Sequence, residues 1–157
     1  MSGCKCKGKR ENEIYCVNPN VANLLVKTAG MSNFTNIELT TPMIRVTEKD
    51  WVAKVDTMVD LQVVTGASTA NETGIGVTYR VERITSSMAT PVVLCEYTVT
   101  DDRMNSTFTL TPNNTVCDEP GVGCHMYRLT IEDVNTALNT GITSNCQSLN
   151  VTTFQKG

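Results

Sequence analysis

One stretch of the chain alternates for the most part between apolar and polar side chains. Trp51, Ala53, Val55, Thr57, Val59, Leu61 and Val63 fall on one face, and Lys54, Asp56, Asp60 and Gln62 on the other. A period of two is that of a strand with one face buried, because successive side chains of extended backbone point to opposite sides. The pattern predicts one long half-buried strand from Trp51 to Val63. The same alternation predicts strands at Ile75 to Ile84, with Ile75, Val77, Tyr79 and Val81 inward, and at Val92 to Thr100, with Val93, Cys95, Tyr97 and Val99 inward. Shorter segments follow at Phe108 to Leu110, around Tyr127 to Ile131 and at Gln147 to Phe154. Upstream, Leu24 to Thr28, Ile37 to Thr41 and Met43 to Thr47 are weaker, with Pro42 marking an edge or corner.

No segment sustains a helical stripe; Val134 to Leu138 has room for a single turn. With 24 Thr and 18 Val against three Phe and one Trp, the composition favours β-branched residues that suit a pleated surface. Eight or nine short strands with turn signals and no crossover helices predict an all-β fold, an antiparallel sandwich of jelly-roll type.

The same numbers exclude several functions. Hydrophobic residues at 40%, charged residues at 18% and a net charge of −3 fit neither a disordered chain nor a basic nucleic-acid binder. No apolar run approaches the roughly 20 residues of a membrane-spanning helix. The opening MSGCKCKGKR has no apolar stretch behind it, so no signal peptide is expected there. With a single histidine, His125, most histidine chemistry is unavailable, and no nucleophile elbow, phosphate loop or dinucleotide fingerprint occurs. Cys124 beside His125 makes a poor relay, since neighbours on a strand face opposite ways. The expectation is a protein that is not an enzyme and has no cofactor.

The chain divides by charge. Residues 1–10 carry Lys5, Lys7, Lys9 and Arg10 and no acid, which is +4; the other 147 residues carry 9 basic and 16 acidic side chains, which is −7. Residues 1–20 read as a cysteine-containing connector and 21–157 as the jelly-roll domain, with Asn18, Pro19 and Asn20 as the hinge. Fifteen extended residues reach about 50 Å, far enough to lie across another subunit whose acidic field attracts them.

Seven cysteines, an odd number, leave at least one without an intrachain partner. Cys117 and Cys124 bracket a Pro/Gly loop and read as an intrachain disulfide. Four-ligand metal spacing is missing, so no metal is expected. Cys95 falls on an apolar strand face, where a thiol acts as a small hydrophobe, and Cys146 begins the last strand. Cys4 and Cys6, two apart, share one side of an extended tail and are placed to bond a neighbour. A C-x-C metal chelator is the competing reading of that tail. A donor tail meeting a different acceptor surface makes a heterologous contact, which yields open filaments when it does not close.

Cys4 and Cys6, nine intervening residues and then Cys16 resemble the N-terminal connector of the endospore appendage fibre subunits of spore-forming bacteria, whose cysteine pair is adjacent, whereas Lys5 splits this one. The resemblance implies a jelly-roll subunit without a signal peptide, exposed when the mother cell lyses. It further implies disulfides from Cys4, Cys6 and Cys16 to other copies of the same chain, with Cys95 and Cys146 as acceptors. The expected product is an extracellular, pilus-like homopolymer on the spore surface, with anchoring or tip subunits as further partners and neither nucleic acid nor membrane. The alternative is a carbohydrate- or receptor-binding sandwich of a surface or viral fibre, which would need a lined site with exposed aromatics.

Overall fold

The computed structural model describes residues 3–7, 13–67 and 73–155. Along the chain run β1 (Gly3–Lys7), β2 (Glu13–Val17), β3 (Leu24–Lys27), β4 (Ile37–Thr40), β5 (Ile44–Val46), β6 (Trp51–Val59), β7 (Leu61–Val64), β8 (Ile75–Thr85), β9 (Val92–Asp101), β10 (Thr107–Leu110), β11 (Thr115–Asp118), β12 (Gly123–Asp133), β13 (Gly141–Ser144) and β14 (Gln147–Gln155). No helix occurs among the described residues. Val134–Leu138, which had room for a helical turn, is irregular, with a bend at Val134 and Asn135 and a turn beginning at Leu138.

The hydrogen-bonded orders are β1-β2-β14-β6-β11, then β10-β7-β13-β3, then β4-β12-β8-β9 with β5 also on β12. The first two are halves of one bent sheet, because β6 continues into β7 and β13 into β14 while those strands keep their pairing. Joined across the bend, with β1 apart, the described segments make strands that run first, eighth, third, sixth in one sheet and second, seventh, fourth, fifth in the other. All pairings are antiparallel, and this order is that of a jelly roll.

The bend corrects the expectation of one uninterrupted strand over residues 51–63. At Asp60 the ladder breaks, and the Asp60 carboxylate accepts hydrogen bonds from the Asn145 amide (2.9 Å), the Cys146 amide (2.7 Å) and the Ser144 hydroxyl (3.2 Å). Gln62 donates to its other oxygen at 2.9 Å, and the Asp60 amide donates to the Cys146 carbonyl at 3.2 Å. Amides lost to the ladder are thus satisfied by one side chain, as backbone away from water requires. Both paired strands bend at the same point.

Between the sheets lies one core that includes Ala53, Val55, Val59, Leu61, Val63, Ile75, Val77, Tyr79, Val81, Tyr127, Leu129, Ile131, Leu149 and Val151. The inward residues expected in β8 are all fully buried. In β9 Cys95, Tyr97 and Val99 pack on the core as expected, but Val93 does not. Val81 pairs with Cys95 and Glu82 with Val93, so Leu94 is an extra residue, a β-bulge that turns Val93 outward, where it is 51% exposed. Gly76 is required by a close approach: a Cβ there would sit 2.7 Å from the Asn135 carbonyl oxygen. The 134–140 segment lies against that part of β8, and Lys27 on β3 holds it by donating from Nζ to the Leu138 and Thr140 carbonyls, each at 2.9 Å. Burial lowers the Lys27 pKa, and the charge of Asp133 opposes that shift.

Within the 1–20 stretch read as a connector, Glu13–Val17 pairs with β14. Tyr15 and Val17 of β2 belong to the core, so Glu13–Val17 is a strand of the body. What lies outside the sandwich order is β1, which extends the sheet beyond β2.

A buried ion pair ties one sheet to the other. Arg83 on β8 donates to both carboxylate oxygens of Asp118 on β11, at 2.6 and 2.8 Å, and the Tyr127 hydroxyl on β12 donates to Asp118 at 2.7 Å. Burial, and secondly Asp118, push the Tyr127 phenol above its usual range. Removing one member of such a pair strands the other charge away from water. Asp118→Ala should therefore lower unfolding free energy by about 3–5 kcal/mol in urea titration. The double replacement Arg83→Met with Asp118→Leu should recover most of that loss.

Candidate functional site

The cysteines are the residues the sequence singled out, and strand alternation decides where each thiol points. Tyr15 and Val17 face the core, so Cys16 between them lies on the outward side of β2, yet it is only 8% exposed. Cys4 and Cys6 fall in β1, whose backbone pairs antiparallel with β2, Cys4 opposite Cys16 and Cys6 opposite Ile14. Followed across the sheet by register, one row runs Cys4, Cys16, Asn150, Asp56, Thr115, and the next runs Cys6, Ile14, Thr152, Lys54, Cys117. The structure thus brings Cys4, Cys6, Cys16 and Cys117 into two neighbouring rows of one sheet. The three tail cysteines are at one edge and Cys117 is at the other. With adjacent strands about 4.8 Å apart, the two edges of a five-stranded sheet are separated by about 19 Å.

Cys95, Cys117, Cys124 and Cys146 carry free thiols. The disulfide expected between Cys117 and Cys124 is therefore not formed, and the strands explain why. Cys117 lies on β11, where its neighbour Asp118 turns inward and Cys117 itself is exposed; Cys124 lies on β12, where its neighbour His125 is buried. The two strands belong to different sheets, so both thiols sit on outward sides of opposite layers. The loop spacing that suggested a bridge contained no information about layers.

Cys95 is half-buried, and the Asn114 side-chain amide donates to its sulfur at 2.9 Å. Its neighbours Tyr79 and Tyr97 stack with ring centroids 4.8 Å apart. Burial is the leading cause that pushes the Tyr79 phenol up to about 12, while the Thr57 hydroxyl, 2.5 Å away, acts against it. Cys95 thus behaves as the packed apolar residue its strand position implied. Cys146 is exposed, and it lies in the corner before β14 rather than within it. The Asp60 carboxylate fixes that corner. Burial raises the Asp60 pKa, but hydrogen bonds from Gln62, Cys146, Asn145 and Ser144 outweigh it and hold it below the ordinary carboxylate value.

A cleft of about 340 Å³ opens beside the β2 end of the bent sheet, lined by Glu13, Tyr15, Met43, Arg45, Trp51 and Thr153 among others. The Tyr15 hydroxyl donates to Glu13. His125 is buried, with Thr85 on Nδ1 and the Gly121 carbonyl on Nε2, each at 2.9 Å. No group of three or more His, Cys, Asp or Glu among the described residues could hold a metal ion.

No family model and no curated protein matches the chain. Among solved structures it is similar to that of the Gt strain of infectious bursal disease virus, with 9% identity, a TM-score of 0.44 and coverage of 94% of this chain and 33% of that one. A VP2 subviral particle of the same virus gives 10% identity, a TM-score of 0.43, 94% and 34%. The chain therefore spans about a third of the length of these proteins.

Two outcomes follow. Maleimide labelling of the native protein under reducing conditions should modify Cys117 and Cys146 first and Cys95 much more slowly, as read by peptide mass spectrometry. The Asp60 contribution is fully present above the unfolded carboxylate pKa of about 4 and is lost as pH falls through the lower folded value. Asp60→Asn should therefore narrow the stability difference from the parent chain progressively below about pH 4, measured by thermal melts from pH 2 to 7.

Proposed function

We propose that this protein is a structural subunit that assembles head to tail into a disulfide-crosslinked extracellular fibre, of the spore-appendage kind that its connector cysteines resemble. The observation that carries the reading is the arrangement of the bent sheet. Its cysteine-bearing strand β1 lies at one edge and exposed Cys117 at the other. These edges differ, so joining one to the other is a heterologous contact that repeats without closing. Strand addition at sheet edges is a general means of such docking. The edge sequences also complement each other in charge, with Lys5 and Lys7 on β1 and Asp56 beside β11.

Cys117 joins Cys146 as an acceptor on the body by virtue of exposure, while half-buried Cys95 is less accessible. The reading needs no cofactor and no catalysis. Its partners are further copies of the chain.

Electron microscopy of the purified full-length protein should show filaments, and a non-reducing gel run after boiling should show a ladder that collapses to monomer with reductant. Cys4→Ser with Cys6→Ser should remove the ladder. Both replacements lie in β1 and leave the core residues Tyr15 and Val17 in place. A monodisperse monomer whose two gels are alike would overturn the polymer reading. Sugar-array binding that is lost on Trp51→Ala, in the cleft beside Tyr15, would establish the alternative of a ligand-binding sandwich.

A further inference from the structure

The register of the first two strands has a covalent consequence within one chain. Cys4 lies directly opposite Cys16, and Cys6 opposite Ile14. Directly opposed residues of an antiparallel pair have Cα atoms about 4.5 or 5.5 Å apart, depending on the kind of site, and disulfides bridge Cα separations of about 4.4–6.8 Å. Both kinds of site fall inside that range. Cys6 is diagonal to Cys16, and diagonal neighbours are about 7–8 Å apart, beyond what a disulfide spans without backbone movement. Cys4 and Cys6, two residues apart on one strand, are separated by about 6.6 Å, at the far limit. Of the three tail cysteines, only the Cys4 and Cys16 pair has the spacing of an unstrained bridge.

Burial points the same way. Cys16 lies on the outward side of β2, next to the sheet edge, where a bare strand would leave it open to water. It is instead 8% exposed, and the strand flanking it on the open side is β1.

We propose that Cys4 and Cys16 of one chain form an intrachain disulfide that latches β1 onto its own sheet and leaves Cys6 as the remaining thiol of the tail. The two thiols lose two protons and two electrons as the S–S bond forms. The oxidant is a small-molecule disulfide of the cystine or glutathione class, which is cleaved to two thiols by exchange. Reduction reverses the step and frees β1 to pair elsewhere. The latch goes beyond the fibre reading, because it concerns the isolated subunit whether or not that subunit polymerises.

Trypsin tests it directly, since Lys5 separates Cys4 from Cys6 and Arg10 separates both from Cys16. Equal amounts of ordinary and ¹⁵N-labelled full-length protein are mixed, oxidised with glutathione disulfide, blocked with iodoacetamide, and the monomer fraction is digested. The expected product joins peptide 1–5 to peptide 11–27, only as light–light and heavy–heavy species, and peptide 6–7 is alkylated or carries glutathione. Mixed light–heavy species, a link from 6–7 to 11–27, a link between 1–5 and 6–7, or alkylated Cys4 and Cys16 would each overturn it. On the intact protein, reduction should speed hydrogen exchange at the β1 amides at least about tenfold, and unchanged protection would sink the latch. Filaments without the 1–5 to 11–27 link would remove the latch and keep the fibre; the link in a protein that never polymerises would do the reverse.

Discussion

The fold depends on a corner. A jelly roll needs strands long enough to serve both halves of a curved sheet, and a continuous ladder resists the curvature. Here one carboxylate resolves the conflict. Asp60 takes the amides of Asn145 and Cys146 and the hydroxyl of Ser144 at the point where two paired strands turn together. Because the partners come from the corner between the last two strands and the acceptor from the junction of β6 and β7, the same contact fixes the sheet's centre in register. The core on either side, from Val55 and Val151 to Leu61 and Ile142, can then be shared with the second sheet, to which Arg83 and Asp118 fasten it.

Much of this was legible from side-chain alternation. The strands around Ile75, Val92, Gln147 and Trp51 stand close to where the period-two pattern put them, since each buries one face against the same core. What escaped was whatever alternation does not encode. Asp60 falls on the polar face of its strand, and nothing in its spacing shows that it replaces a ladder. Leu94 is apolar like its neighbours, so an extra residue there shifted the expected face of Val93 without a visible sign. Thr115–Asp118 and Gly141–Ser144 are too short and too polar for a periodic signal, though both are paired into the sheet.

The cysteines show a similar limit. Their number, the spacing of Cys4 and Cys6 and the basic charge around them were plain in the sequence, and so was the packed character of Cys95. The partner of any one of them was not, because pairing depends on which strands become neighbours. Cys117 and Cys124 are close along the chain and end on different layers; Cys4 and Cys16 are farther apart along the chain and end directly opposed. Sequence distance and spatial distance diverge wherever a strand must cross between sheets.

The bulge at Leu94 has a bearing on how copies of this chain can meet. β9 is the outermost strand of its sheet and ten residues long, the kind of edge on which stray chains pair. A bulge twists such an edge and breaks the even spacing of its open amides and carbonyls. Two copies therefore meet poorly through this side of the sandwich, and the opposite layer, where β1 and β11 pair without a bulge, keeps the better templates. One irregular residue thus disfavours sideways clumping in a protein whose surface otherwise offers several edges.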